Sequence, residues 1–504
     1  MKILNSAQVK EWDKYTIANE PVSSIKLMER AALACVKWIE QKKYTEKHFS
    51  IFCGQGNNGG DGLAMARLLA AKKKSVTVYI LETRVTGTDD FEKNISRLKK
   101  KTGSVEIFYI KSEEQFQPFA FGEIIIDALF GSGLNRPVDG IALKLIEHLN
   151  ASGCEIISID LPSGLYADES SKESTTVHAT HSLSFQCYKP AFLIAENSKA
   201  IGTVHILDIG LHPQFYKDLF TNYELTDAEI IFSIYKPRNR FTHKGNYGHA
   251  ALIAGSTGMM GAAVLAAKGC LRTGVGKLTC YIPKTGIEIM QTSIPEALCS
   301  ISGFKDYIEI TEGLSAYNAI GIGPGIGLYE SHSHLLQNIL SQTKKPMVID
   351  ADAITMFAQN KELLNPIPPY SILTPHPKEF ERLFGKTTND FETIKLVQQK
   401  AKEYKLIIVL KGHHTFIATP GGKGFFNSTG NAGMATGGSG DVLSGILTSL
   451  LAQGYGEVEA AIFGVYLHGL AGDIAANKFS EEGMIAEDIA ENIGEAFKKI
   501  KEIN

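Results

Sequence analysis

The chain has 504 residues, 44% hydrophobic and 21% charged. That is about three times the ~150 residues of one typical domain, with enough apolar content for a sizeable core. It excludes disorder, collagen and a disulfide miniprotein. Lys and Arg number 51 against 54 Asp and Glu, a net charge of −3, so no basic stripe points to nucleic acid.

Glycine is in excess at 48 residues, 15 of them in positions 1–240 and 33 beyond, against a usual ~7%. The seven cysteines are scattered and form no C-x-x-C, which argues for a reducing compartment and against a disulfide framework. The first residues, MKILNSAQVKEWDKYTI, carry charges where a signal peptide needs an apolar stretch. The uncharged stretch Gly245–Ala267 is broken by five glycines and polar residues and would span a membrane poorly. A cytoplasmic protein with no membrane or nucleic-acid partner is expected.

In chain order, strand-like runs at 49–53, 75–81, 106–110, 123–127, 155–160 and 182–185 alternate with helical patterns such as 63–74 and 141–150. Apolar strands separated by helices predict a mostly parallel sheet covered on both faces. After 202–210 the chain becomes more polar and irregular up to about 240. We read an ordered connector at 216–240, between domains at 1–215 and 241–504. A second alternation follows. Its strands are expected at 249–254, 277–282, 319–322, 347–350, 371–374, 406–410, 415–418 and 424–427. Its helices are expected at 261–272, 391–403, 441–453, 458–477 and 486–500.

Three polar loops follow strands of the first domain. Gly54-Gln-Gly56-Asn-Asn-Gly59 fits G-x-G-x-x-G between a strand and a helix, the setting of a dinucleotide fingerprint. Asp61 then places a carboxylate where a pyrophosphate would sit, which argues against an ordinary dehydrogenase. Asp127 to Pro137 and Asp160-Leu-Pro162-Ser163-Gly164 leave two further strands. Each Asp alone fits a cap or turn. The three together fit a ligand site at the carboxyl ends of parallel strands.

These stretches, with Leu27-Met28-Glu29-Arg30-Ala31-Ala32, resemble the NAD(P)H-hydrate epimerase family across nearly all of residues 1–215. The resemblance implies a Rossmann-like three-layer αβα domain that epimerises C6 of hydrated NADH or NADPH. It implies that Asn57, Asn58, Gly59, Gly60 and Asp61 bind the hydrate. So would Gly131, Ser132, Gly133, Leu134, Asn135, Arg136 and Pro137, with Asp160 at the nicotinamide ring as the acid or base. Asn58, Asp127 and Ser163 would hold potassium, a hard cation suited to oxygen donors. Lys189 is expected to be a solvated lysine, with assistance to Asp160 as the alternative.

The strongest local signal lies in the second domain, at Asn431 to Gly445, where Gly430 just before it and glycines 433, 437, 438 and 440 within it lead to Asp441 and a helix. Exposed N–H groups at a helix start form an anion hole. A carboxylate there can take a proton from a hydroxyl attacking phosphorus. The bland alternative is an Asp N-cap.

G-x-G-D before a helix resembles the ribokinase-like fold. His243-Lys244-Gly245, Gly255 to Ala263, Pro295-Glu296-Ala297, Gly321 to Gly327, Asp350-Ala-Asp352, Thr374 to Pro377 and Leu410-Lys411-Gly412 bring it closer to the ADP- or ATP-dependent NAD(P)H-hydrate dehydratases. The resemblance implies a three-layer αβα domain that phosphorylates the C6 hydroxyl of the S hydrate and expels phosphate, with ADP the expected donor over ATP. Asp441 would be the base. Lys411, Gly412, His413, His414, Thr415, Gly437, Gly438 and Gly440 would hold the nucleotide. Ala263, Gly325, His376 and Asp441 would hold the hydrate.

Lys244 is a candidate for the phosphates. Asp350 and Asp352 either position magnesium or serve as turn and cap residues. The chain is expected to form a homo-oligomer with small-molecule partners. The alternative reading is a ribokinase-like kinase of a vitamin precursor with a nucleotide-binding or scaffold first domain.

Overall fold

Runs of Ile, Val and Phe too short for helices and bounded by glycine or Asp turns become parallel strands, because both faces of each strand are apolar. The computed structural model describes every residue except 43, 45–46, 84, 102–104, 302–304 and 503–504. It divides into a first unit of Lys2–Thr221 with Asn389–Phe391 and a second unit of Met1, Asn222–Thr388 and Glu392–Asn504.

The first unit is built on seven strands: β1 (His48–Cys53), β2 (Ser75–Leu81), β3 (Glu106–Ile110), β4 (Ile124–Ala128), β5 (Glu155–Ile159), β6 (His181–Phe185) and β7 (Thr203–Leu207). All pair in parallel, in the order β3-β2-β1-β4-β5-β6-β7. Helices α1 (Ser6–Asn19), α2 (Ser24–Gln41), α3 (Asn57–Ala71) and α4 (Gly140–Asn150) accompany it. Ile51 of β1 joins the core under α2 and α3, whereas its neighbour Phe52 joins the core under α4. Strand alternation thus sends successive side chains to opposite faces, and a three-layer αβα unit results.

The helix predicted at 63–74 begins six residues earlier, at Asn57, and ends at Ala71. The glycine segment from Asn57 to Gly62 is the first turns of α3, not loop. Close packing explains this: a Cβ at Gly59 would lie 1.7 Å from the Gly54 carbonyl oxygen, so the helix start presses on the strand end.

Among the described residues the second unit contributes ten strands to its sheet, in the order β8-β17-β16-β15-β14-β13-β12-β9-β10-β11. They are β8 (Tyr223–Thr226), β9 (His249–Ile253), β10 (Lys277–Ile282), β11 (Leu298–Ile301), β12 (Ala319–Ile322), β13 (Met347–Ile349), β14 (Ile372–Leu373), β15 (Ile407–Leu410), β16 (Phe416–Ala418) and β17 (Gly424–Asn427). Only the β15–β16 and β16–β17 pairs among these are antiparallel. The helices used below are α5 (Met260–Arg272), α6 (Ala351–Gln359), α7 (Pro377–Phe384), α8 (Ser439–Ala452), α9 (Glu457–Phe479) and α10 (Ala486–Glu502).

The cores with α8 to α10 and with α5 adjoin on one face of the sheet, where Leu252, Val348, Ile372 and Ile407 stand in register and a Cβ at Gly445 of α8 would lie 1.9 Å from the Ala266 carbonyl oxygen of α5. Within the segment 216–240, Tyr223–Thr226 pairs with β17 and Ala228–Ile234 is a helix with Ile231 fully buried. Among the described residues α9 is long and apolar enough to cross a membrane, with mean hydropathy 1.2, but 78% of that window is buried inside the protein.

Candidate active sites

In the first sheet the strand order reverses beside β1, which leaves a crevice beyond the ends of β1 and β4. A cavity of about 580 Å³ opens there. Asn57, Asn58 and Asp61 line it from α3, and the whole segment Gly131 to Pro137 lines it from the loop after β4. Asp160 enters from the end of β5, and Asp13 with Lys10 from α1. The tertiary structure therefore brings the three predicted loops together. Gly59 and Gly60 instead pack inward, Gly60 against Met28.

Asp160 has φ of 67°, a left-handed conformation that Asp tolerates better than most residues. This turn aims its carboxylate at two donors. Oδ2 accepts from the Ser132 amide at 2.8 Å and Oδ1 from Lys189 at 2.8 Å. A Cβ at Gly131 would fall 2.8 Å from Oδ2, so only glycine lets the loop reach the carboxylate.

The expectation of a solvated Lys189 is wrong. Its side chain is 0% exposed and donates to Ser184 as well as Asp160. β6 lies next to β5, so the loop after β6 delivers Lys189 to Asp160. Burial pushes the Asp160 carboxyl up, but Lys189 and Ser132 outweigh it and hold the group below its usual range. Asp160 is thus held as a carboxylate.

Two neighbouring carboxyls behave oppositely. Burial, with Asp160 nearby, pushes Asp61 well up and Asp13 to about 6. Neither makes a hydrogen bond or ion pair among the described residues. Sequence reasoning missed Asp13. The signal was its place on α1 between the buried Trp12 and Thr16, at the edge of the inward face.

The potassium ligand set can be tested on unsatisfied atoms. Asn58 is 8% exposed, and neither its Oδ1 nor its Nδ2 has a partner. An orphaned buried amide is costly. Asp127 is fully buried, and burial pushes its carboxyl up despite donations from Ser163, Ser158 and the Leu129 amide. Ser163 Oγ lies 2.5 Å from Asp127 Oδ1. One carboxylate with amide and hydroxyl oxygens suits a hard monovalent cation, so these residues fit potassium.

In the second unit the sheet order reverses beside β9, between the loops that carry Gly255–Gly261 and Gly323–Gly327. Asp350, His376 and Lys411 follow β13, β14 and β15, also at strand carboxyl ends. Lys411 Nζ is 2.8 Å from Asp350 Oδ1, and Ser444 Oγ is 2.5 Å from Oδ2. A Cβ at Gly440 would lie 3.3 Å from Lys411 Nζ. A cation therefore stands over the positive end of α8.

α8 starts at Ser439 behind Gly438, whose φ is 94°. Asp441 is thus inside the first turn and is not the N-cap. Burial and the Asp350 charge push Asp441 up to about 7, with Lys411 opposing. Gly437 has open space where a Cβ would go, and a Gly438 Cβ would strike Leu265. Sequence reasoning also missed His468. Burial pushes this imidazole down to about 4, and its Nε2 donates to the Ser439 carbonyl at 2.9 Å. A lone histidine in the apolar run of α9 was the available signal.

The remaining assignments divide. Gly412 and His413 are exposed, His414 Nδ1 meets the Asn427 carbonyl, and Thr415 Oγ donates to Gly412. His376 caps α7, its Nδ1 accepting from the Lys378 and Glu379 amides, while its ring still senses Lys411 and Asp350. The Gly325 carbonyl accepts from Ser256. Ala263 is 1% exposed within the α5 core, so its side chain offers no open surface. Lys244 is not brought to the site. It precedes β9, at the opposite end of the strands from the glycine loops. Asp350 pairs with Lys411 through Oδ1 and accepts from Ser444 through Oδ2. Asp352 accepts from the Gly327 amide.

Residues 24–191 match the family described as YjeF-related protein N-terminus, and residues 250–495 match NAD(P)H-hydrate dehydratase. The chain is 32% identical to the bifunctional NAD(P)H-hydrate repair enzyme of Moorella thermoacetica, over 100% of this chain and 98% of that protein. It is 31% identical to the Escherichia coli enzyme of the same name, over 92% and 87%. Among solved structures, the ADP/ATP-dependent NAD(P)H-hydrate dehydratase of Bacillus subtilis, crystallized with ATP and magnesium, is 30% identical. It covers 55% of this chain and 98% of that one, with a TM-score of 0.49.

Proposed function

Since the chain belongs to the bifunctional NAD(P)H-hydrate repair enzymes, we propose that it repairs hydrated NADH and NADPH in two steps. An epimerase at 1–215 interconverts the R and S hydrates at C6. A dehydratase of ribokinase-like fold at 241–504, beyond the connector 216–240, returns the S hydrate to NAD(P)H at the cost of a nucleotide, with ADP the expected donor.

The observation that carries the second step is Asp441 inside the first turn of α8, beside Lys411. In this reading the Asp441 carboxylate takes the C6 hydroxyl proton as the oxygen attacks phosphorus. The α8 amides and Lys411 stabilise the charge on the phosphoryl group. Phosphate, a far better leaving group than hydroxide, then departs from C6, and C5 loses a proton to restore the double bond. Magnesium would accompany the nucleotide phosphates, with Asp350 and Asp352 at the neighbouring strand end.

Asn58, Asp127 and Ser163 would hold potassium, which supplies positive charge beside the bound hydrate. The free state of all seven cysteines, five of them buried, supports a cytoplasmic setting. Leu298 and Ile301 are 55% and 53% exposed on the edge strand β11. Such an edge supports self-association.

The test is recovery of NADH absorbance from a mixture of both epimers, with ADP and ATP in parallel. Full recovery with ADP is expected. No recovery with either nucleotide overturns the reading. Potassium is checked separately, as a rise in melting temperature over a bulky organic cation.

A further inference from the structure

We propose that Asp13 is the proton donor of the first-unit site, working against the Asp160 carboxylate. The proposal rests on the epimerase reading of that cavity. Asp13 reaches the cavity from α1, whereas Asp160 reaches it from the end of β5. Two carboxyls from different elements thus face one space large enough for a ring. Asp160 is committed to Lys189 and the Ser132 amide. Asp13 has no hydrogen-bond or ion-pair partner among the described residues, which leaves it to the ligand.

The groups around Asp13 set its state. Asp160 raises its proton affinity and Lys189 lowers it. Asp61 of α3 lines the same cavity and is itself pushed up by Asp13 and Asp90. The Cys187 thiol also senses Asp13. Lys10 on its own helix, and Arg136 and Asp139 on the loop after β4, line the same cavity. Burial pushes Asp13 up to about 6, close to working pH, where a donor is most effective. Asp61 is the poorer donor. It is held well above its range and is backed by the buried Cys35 and Cys53.

The step balances without a co-reactant. Asp160 accepts the proton of the C6 hydroxyl. The C6–N1 bond breaks as C6 becomes a carbonyl. N1 keeps the electron pair and takes the proton of Asp13. After rotation about C5–C6, Asp13 recovers that proton, N1 attacks the other carbonyl face, and Asp160 returns its proton to the new hydroxyl.

The test uses the full chain without nucleotide, so that dehydration is idle, and follows conversion of R to S NADH hydrate by chromatography. Asp13→Asn should lower kcat about 100-fold with KM within about twofold. The fall in wild-type rate above about pH 6 should vanish. Asp13→Glu should restore part of the rate with a shifted limb, which keeps the test valid if the Asn variant misfolds. Asp13→Asn at wild-type kcat, or an Asp13→Glu profile identical to wild type, overturns the proposal. If Asp160→Asn is inactive in that case, the epimerase reading survives. If Asp160→Asn is also fully active, that reading fails too.

Discussion

Lys189 Nζ lies 2.8 Å from Oδ1 of Asp160, and the lysine has no exposed surface. Such a pair compensates the desolvation of both charges only while both are present. Lys189→Met should therefore cost about 3 kcal/mol at pH 7. The sign with pH follows from the lowered Asp160. Its contribution is present above the ordinary carboxylate range and is lost as pH falls through the depressed value. In the variant the penalty should shrink near pH 4, where an unpaired Asp160 takes a proton. Denaturant melts at the two pH values check this.

Gly131 is the second lever on the same carboxylate. A Cβ there would sit 2.8 Å from Asp160 Oδ2 and 3.3 Å from the Asn58 amide carbon. Gly131→Ala should reduce interconversion of the epimers at least about tenfold, since a displacement near 1 Å costs that much or more. Nucleotide-dependent dehydration of the S form should stay within about twofold. Separate assays of the two steps decide it.

Asp441→Asn should stop NADH recovery from both epimers and leave their interconversion intact. In the wild type, dehydration should rise with pH through about 7, because the base must be ionised. The same raised value makes a stability statement. The folded protein holds this proton more tightly than the unfolded chain, so wild-type stability is lost as pH climbs from the ordinary Asp range through about 7. Asp441→Asn should melt higher than wild type at pH 8 and equally at pH 4.

Lys411 restrains Asp441 and neutralises Asp350 at once. Lys411→Met should move the ascending limb of residual dehydration to higher pH. It should also destabilise the protein by about 3 kcal/mol at pH 7, because Asp350 is 1% exposed and loses its partner. A limb that stays in place would show that Lys411 does not act on Asp441.

What the amino-acid sequence determined by itself is local. Continuous apolar runs specified most strands but not Tyr223–Thr226 or Leu298–Ile301, and glycine with Asp at strand ends specified the loops that bear the chemistry. Asn58, Asp127, Asp160 and Asp441 could be chosen because each lies inside a contiguous motif. Only the tertiary structure decided partnership. Lys189 meets Asp160 because β6 is laid beside β5. Asp13 faces the cavity because α1 crosses the strand ends. His468 pins Ser439 from a helix 29 positions on. Periodicity reports which face of its own element a residue occupies. It carries no information about the element opposite, and burial together with the charge found there sets which carboxyl keeps its proton.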